Sequence, residues 1–218
     1  MITYIVDAPN IANKPFVEAH VEKYFDEVKS LLPELPDDIY IWLDNDYLIP
    51  ETGEGGYSYG PETISIAFDT EFKDKTIQLA HLRETIFHEA YHLTQGHTRE
   101  KPKVIYKTAL DPSIYEGCAT VFEREYAGST PLWGRYAQHT ISTLKQWQHL
   151  LMEIPSDEYY GDRTVYNKWA FYDSDTDERW RVYKVGTWIV DEALKKSGLD
   201  ILDLRLKSAD DILKLAQS

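Results

Sequence analysis

The segment FHEAYHLTQGH, residues 87–97, gathers the side chains of this sequence that could do metal chemistry. Histidines four residues apart, such as His88 and His92, stack on one face of a helix, so both imidazoles can reach a single ion. Glu89 would then lie beside the remaining coordination position. There it could accept a proton from a water molecule whose pKa the ion has lowered toward neutrality. The HExxH pattern therefore predicts a metal site with Glu89 as its general base.

The residues around this pattern have the spacing of an amphipathic helix. Apolar residues recur at helical intervals and form one stripe, whose members are Leu79, Leu82, Ile86, Ala90 and Leu93. In a helical projection, His88, Glu89 and His92 fall on a different, polar face. We predict a helix over residues 76–95, closed by Gly96. Its polar face would carry the metal ligands.

A third ligand could follow directly in the chain. The known pattern HExxHxxGxxH would use His97. In that pattern the glycine and the third histidine follow the second histidine by three and six residues, whereas Gly96 and His97 follow His92 by four and five. Because one residue in a tight turn redirects the side chain, we interpret His97 as a polar residue just past the helix end, where a cation is favourable.

A second predicted helix, residues 111–128, offers Glu116 as the third ligand. Small residues between Glu116 and Glu123 would let this helix approach the first one closely. Glu123 is the alternative ligand on the same face. A capping box, Ser113-x-x-Glu116, would instead use Glu116 at the helix start. Because an Asp-Pro pair already supplies that start, we favour Glu116 as a ligand.

HExxH followed by Glu-Gly-x-Ala about two dozen residues later resembles the gluzincin zinc metallopeptidases, especially the bacterial predicted zinc proteases whose substrates are unassigned. The resemblance covers about residues 60–195. It implies that His88, His92 and Glu116 bind Zn²⁺ and that Glu89 is catalytic. It also implies an α+β, gluzincin-like metalloprotease fold, with a small twisted sheet packed on helices and a mainly helical half.

The resemblance has one departure and one extension. Many gluzincins place an aspartate four residues after the ligand glutamate to orient a zinc-bound histidine, whereas this chain has Thr120, so Glu123 is the alternative partner. Tyr183-x-x-Gly186 is similar to a helix of those proteases that faces the metal, which implies that the Tyr183 hydroxyl donates to an oxyanion. Tyr183 as a core residue stays open, and the further candidates are His139, Tyr166 and Arg181.

Local patterns predict the remaining elements. β-branched and aromatic runs predict strands at 2–6, 39–43 and 63–68, and helical spacing predicts helices at 15–32, 131–154, 180–196 and 208–217. The Gly-rich and Pro-rich residues 50–62 predict a loop. The resemblance to the gluzincins implies that the strand at 63–68 forms the sheet edge above the metal, and an ordinary buried strand stays open as the alternative. We predict a single domain, residues 1–218, with an α/β subdomain at 1–100 and a mainly helical subdomain at 101–218.

The composition excludes several classes of function. A formal net charge of −14 argues against a nucleic-acid partner. Cys118 is the only cysteine, so no internal disulfide or thiolate cage can form. The N-terminal apolar run is too short for a signal peptide and no stretch suits a membrane span, so we expect a cytoplasmic protein with no membrane partner. The run DSDTDE at 173–178 lacks the glycine and glutamate of a calcium loop, so we predict a solvated acidic loop.

These observations predict a zinc metallopeptidase that hydrolyses peptide bonds of a peptide or protein substrate. Two alternatives stay open. HExxH specifies a metal and a base but not a substrate, so the site could hydrolyse a non-peptide amide or ester. The chain could also be an inactive zinc-binding module, in which four protein ligands would close the site.

Overall fold

The computed structural model describes residues 2–6, 14–44 and 48–218. The strands are β1 (Ile2–Val6), β2 (Asp38–Asp44), β3 (Glu54–Gly60), β4 (Thr63–Phe68), β5 (Tyr172–Asp173) and β6 (Glu178–Arg179). The helices are α1 (Lys14–Leu31), α2 (Lys75–Gln95), α3 (Leu110–Phe122), α4 (Ile141–Glu153), α5 (Ser156–Gly161), α6 (Arg163–Ala170), α7 (Arg181–Ser197), α8 (Ile201–Leu204) and α9 (Ala209–Gln217). The α+β class predicted from the sequence is confirmed.

The described chain divides into two compact units. The first comprises residues Met1–Lys103 and Tyr126–Gly128, and the second comprises Val104–Glu125 and Ser129–Ser218. The prediction that all 218 residues act as one protease domain stays a prediction.

The first unit contains a four-stranded sheet with the order β1-β2-β4-β3. β1, β2 and β4 run parallel, and β3 runs antiparallel to β4. In β2 the residues Ile39, Ile41 and Leu43 are buried, whereas Tyr40 and Trp42 are exposed. This alternation is what a strand with one buried face requires. Helix α2 packs against β3 and against α1.

The prediction of a loop over residues 50–62 is wrong, because β3 lies there. Gly56 allows this strand to approach helix α2 closely. A Cβ atom on Gly56 would lie 2.7 Å from the Thr85 methyl group and 3.1 Å from the Ser65 carbonyl oxygen. Glycine in a strand therefore serves close packing here. β4 lies between β2 and β3 and pairs with both of them. The expectation that residues 63–68 form the sheet edge is therefore wrong as well.

Helix α2 has the predicted position and both ends are explained by side-chain chemistry. The Asp74 carboxylate accepts hydrogen bonds from the backbone amides of Thr76 and Ile77. At the other end Gly96 has φ of 74°, in the left-handed region, and its amide bonds back to the last turn. The helix over residues 76–95 closed by Gly96 is thus confirmed.

The second unit is mainly helical, and its centre is the contact of α3 with α7. A Cβ atom on Gly186 would lie 1.7 Å from the Ser113 carbonyl oxygen, and one on Gly117 would lie 2.1 Å from the Gly186 carbonyl carbon. Both positions therefore require glycine. The Ser113 hydroxyl donates to the Val182 carbonyl at 2.6 Å, which closes the same contact.

Two predictions for the second unit are wrong in part. The helix predicted over residues 131–154 begins only at Ile141, where the Thr140 side chain accepts a hydrogen bond from the Thr143 amide. The preceding residues form turns, and a Cβ atom on Gly134 would lie 2.5 Å from the Thr120 side chain. The acidic run at 173–178 is a tight connection between β5 and β6, in which Asp173 is buried rather than solvated.

Among the described residues no helix combines the length and hydropathy needed to cross a membrane.

Candidate metal centre

Helix α2 presents its two motif histidines at a common point. The Nε2 atoms of His88 and His92 lie 3.1 Å apart, and their ring planes are inclined at 82°. Both side chains are buried. Two zinc–nitrogen bonds of about 2.0–2.1 Å at a tetrahedral angle would place the nitrogens roughly 3.3 Å apart. The pair therefore has a separation suited to binding one ion.

Glu116 completes a group of three ligand atoms. One nitrogen each from His88 and His92 and one carboxylate oxygen from Glu116 all lie within 4.8 Å of one another. Two imidazole nitrogens and one carboxylate oxygen are a donor set that zinc accepts, with a fourth position left for water or substrate. These residues therefore fit a catalytic zinc site by donor chemistry and separation.

Glu89 lies outside this group and makes a different contact. Its carboxylate oxygen Oε2 is 2.9 Å from the Ser58 hydroxyl on β3, and its backbone carbonyl oxygen is 3.0 Å from the same hydroxyl. Both side chains are buried. Glu89 is adjacent to His88 in the chain and is not one of the three grouped ligands, and its role as a general base stays a prediction.

His97 packs beside the site without joining the group. Its ring centre is 4.6 Å from that of His92, and its backbone amide donates to the His92 carbonyl at 3.0 Å. The side chain is buried. His97 therefore supports the ring of a candidate ligand, in the place just beyond Gly96 where the sequence predicts it.

The capping-box alternative for Glu116 does not hold. The Ser113 hydroxyl donates to Val182 instead, and α3 has no side-chain cap at its first residue. Asp111 accepts hydrogen bonds from the amides of Lys107 and Thr108, which secures the start of the helix. Glu116 is therefore not needed as a cap.

The two other candidates on α3 have distinct surroundings. Glu123 is fully buried at the start of a π-helical turn, and its carboxylate accepts a hydrogen bond from Ser129 at 2.9 Å. The Thr120 hydroxyl is buried and has no hydrogen-bond partner among the described residues. Thr120 therefore does not orient a histidine by a hydrogen bond, and Glu123 as that partner stays a prediction.

The sequence matches the model of the family described as predicted Zn-dependent protease (DUF2268) over residues 17–214. The chain belongs to this family. None of the curated proteins matches it at a significant level.

The fold of this family member is similar to a crystal structure of an aminopeptidase N family protein from Idiomarina loihiensis. The TM-score is 0.50 at 12% sequence identity, and the match covers 99% of this chain and 38% of that chain. At this identity the likeness concerns the fold alone.

Tyr183 lies on α7, three residues before the Gly186 contact with α3, and is half-buried. Its backbone carbonyl accepts a hydrogen bond from the Thr187 hydroxyl at 2.7 Å. A role of its hydroxyl at an oxyanion stays a prediction.

The further candidates belong to other clusters. Arg181 forms an ion pair with Asp173 at 2.7 Å, and its guanidinium lies 3.9 Å from the centre of the Trp169 ring. The ring of Tyr166 packs 5.2 Å from that of Tyr159. His139 packs against Trp147 and lies 3.7 Å from a carboxylate oxygen of Glu178.

Sequence reasoning missed two sets of residues near the candidate site. The sequence predicts a loop at Ser58, although the glycines before it are a known signal of a strand that approaches another element closely. Tyr106 and Tyr159 belong to a tyrosine cluster of the second unit. Burial is the main cause that raises the pKa of both hydroxyls, and the negative charge of Glu116 adds to it. No local pattern pairs these tyrosines with Glu116.

Proposed function

We propose that this chain is a zinc-dependent peptidase with a gluzincin-type site, acting on a peptide or protein substrate. The observation that supports the proposal is the grouping of ligand atoms from His88, His92 and Glu116, with Glu89 beside them and outside the group. Membership of a predicted Zn-dependent protease family supports the metal and the reaction class.

In this proposal His88, His92 and Glu116 hold the zinc ion. When bound, zinc supplies Lewis-acid polarisation of the scissile carbonyl and lowers the pKa of water. The Glu89 carboxylate accepts the proton of the attacking water and later delivers it to the leaving amine. The Tyr183 hydroxyl donates a hydrogen bond to the oxygen on which negative charge develops.

We further propose that strand β3 pairs with the substrate backbone. The outer side of β3 is the side that faces away from β4. There the Glu54 carbonyl accepts a hydrogen bond from the Ile49 amide, and the Ser58 carbonyl accepts one from the Arg99 amide. Backbone groups alternate between the two sides of a strand, so the amide and carbonyl of Gly56 point to the same outer side. An extended peptide could add there as a short strand.

The metal content of purified protein tests the ligand assignment. Protein prepared without added zinc is expected to carry about one zinc per chain, because three protein ligands suffice for a catalytic site. Glu116→Ala should lose most of this zinc, whereas His97→Ala should retain it. If His97→Ala loses the metal and Glu116→Ala keeps it, the proposed ligand set is wrong.

Hydrolysis by the same proteins tests the reaction. With an unfolded protein as substrate, Glu89→Gln should keep its zinc but lose at least about 100-fold in rate, the usual contribution of a general base. A fully active Glu89→Gln protein would rule out the mechanism. Cleavage of simple esters or non-peptide amides without peptide cleavage would favour the alternative hydrolase. A zinc-loaded protein that cleaves nothing would favour the inactive zinc-binding module.

A further inference from the structure

The hydrogen bond between Ser58 and Glu89 joins the edge of the sheet to the candidate base. The Ser58 hydroxyl lies 2.9 Å from Glu89 Oε2 and 3.0 Å from the Glu89 backbone carbonyl oxygen. We infer that Ser58 is a positioning residue that orients the Glu89 carboxylate for proton transfer. This inference rests on the proposed function.

The backbone of Ser58 is well placed to hold its hydroxyl still. Ser58 pairs with Ile64 of β4, and its carbonyl accepts a hydrogen bond from the Arg99 amide at 2.9 Å. A serine side chain has a single carbon–carbon rotor, so a fixed backbone leaves its hydroxyl few positions. The position of Oε2 is therefore fixed by strand β3 as well as by helix α2.

Contact with one carboxylate oxygen distinguishes the two oxygens of Glu89. With Ser58 donating to Oε2, this hydrogen bond restricts rotation of the carboxylate about its last side-chain bond. Reacting groups must lie within a few tenths of an ångström of their working geometry, and a displacement of about 1 Å can cost about 100-fold in rate. Without the hydroxyl the carboxylate could rotate and adopt unproductive orientations.

A second hydrogen bond provides an internal control. The Thr85 hydroxyl donates to Glu54 Oε2 at 2.6 Å, which also joins α2 to β3, one helical turn before the contact of Ser58 with Glu89. If Ser58 served only to attach the strand to the helix, loss of either bond should affect activity in the same way. If Ser58 orients the base, only its own loss should lower the turnover of folded, zinc-loaded protein.

The experiment compares Ser58→Ala, Ser58→Thr and Thr85→Val with wild type. The quantities measured are zinc per chain, melting temperature, kcat per zinc-loaded chain and KM for a peptide substrate. We expect Ser58→Ala to keep its zinc and its KM within about 2-fold while kcat falls about 10-fold to 100-fold. Ser58→Thr retains the hydroxyl and should recover most of that loss. Thr85→Val should melt at a lower temperature with kcat close to that of wild type.

A double-mutant cycle with Glu89→Gln separates positioning from a general structural effect. Because Ser58 acts through the Glu89 carboxylate, Ser58→Ala should cause little further loss of the residual rate once that carboxylate is gone. A structural effect would lower the rate by the same factor in both backgrounds. Equal factors, or a Ser58→Ala protein with the kcat of wild type, would overturn the inference.

The same measurements separate this inference from the proposed function. A Glu89→Gln protein that loses activity beside a fully active Ser58→Ala protein removes only the role of Ser58. A wild type that hydrolyses no peptide, or a Glu89→Gln protein as active as wild type, overturns the proposed function and the role of Ser58 with it.

Discussion

The two helices that carry the candidate ligands are fixed in their units by different kinds of contact. In the first unit, α2 is joined to β3 by side-chain hydrogen bonds, from Thr85 to Glu54 and from Ser58 to Glu89. In the second unit, α3 is fixed by direct backbone contact with α7. Glu116 is next to Gly117, which is one of the residues at that contact.

Because the two kinds of contact differ, substitutions at them should have different effects. Side-chain hydrogen bonds can be removed one at a time, and the backbone around them keeps its path. Backbone packing at Gly117 and Gly186 leaves no room for a methyl group, so any side chain there must push the helices apart. The second unit should therefore be more sensitive to a small added volume, and the first to the loss of a polar partner.

The largest effect is expected for Gly186→Ala. The added methyl group would lie 1.7 Å from the Ser113 carbonyl oxygen, which belongs to the backbone and cannot turn aside. We expect a loss of about 3 kcal/mol or more in the free energy of unfolding, at or above the upper part of the range for overpacked sites. Chemical denaturation measures it, and zinc content should fall with the loss of folded protein.

Gly161→Ala is the matched control. A Cβ atom there would meet nothing within 4 Å, so the change should be neutral or stabilise the protein by up to about 1 kcal/mol. If Gly186→Ala unfolds at the same denaturant concentration as wild type, backbone packing does not distinguish the second unit.

A smaller effect is expected for Thr85→Val in the first unit. Valine has nearly the shape of threonine but cannot donate to Glu54, whose carboxylate is fully buried. Loss of a donor to a buried acceptor costs about 1–3 kcal/mol. Thr85→Ser keeps the hydroxyl and should lose less, since only a methyl group is removed. Thermal denaturation of the three proteins gives the comparison. Equal stability of Thr85→Val and wild type would mean that the hydrogen bond from Thr85 to Glu54 does not stabilise the first unit.

The contrast also explains which features could be predicted from sequence. Helix α2 and its two candidate ligands depend on local signals: an apolar stripe, the i and i+4 histidines, and Gly96 at the end. These signals need no knowledge of the rest of the chain. The same holds for α7, predicted over 180–196 and observed as Arg181–Ser197.

Features that depend on distant partners could not be predicted in this way. β3 has the composition of a loop, and its pairing with β4 and packing on α2 override that preference. Ser58 and Glu89 are 31 residues apart, so no local spacing relates them. The turns before Ile141 could not be predicted, because the packing of Gly134 against Thr120 arises only in the folded unit. Local spacing alone predicts a helix there.

The smallest effect is expected for the pH dependence of stability at His139, which lies near Glu178 and Lys184 in the second unit. Burial lowers the pKa of His139, and the neighbouring charge of Lys184 lowers it further, whereas Glu178 opposes both. The folded protein therefore binds fewer protons at this residue than the unfolded chain, and stability must rise with pH. The loss of stability should begin as pH falls through about 6.5, the pKa of histidine in the unfolded chain, and continue down to the lower pKa of the folded state.

His139→Gln removes this component, so its stability should depend less on pH than that of wild type between about pH 7.5 and pH 5. Glu178→Gln should act in the opposite direction, because it removes the charge that raises the pKa of His139. Denaturation at several pH values, with chelator present so that metal release does not contribute, measures both slopes. A His139→Gln slope equal to that of wild type would mean that His139 has the same proton affinity in the folded and unfolded chain.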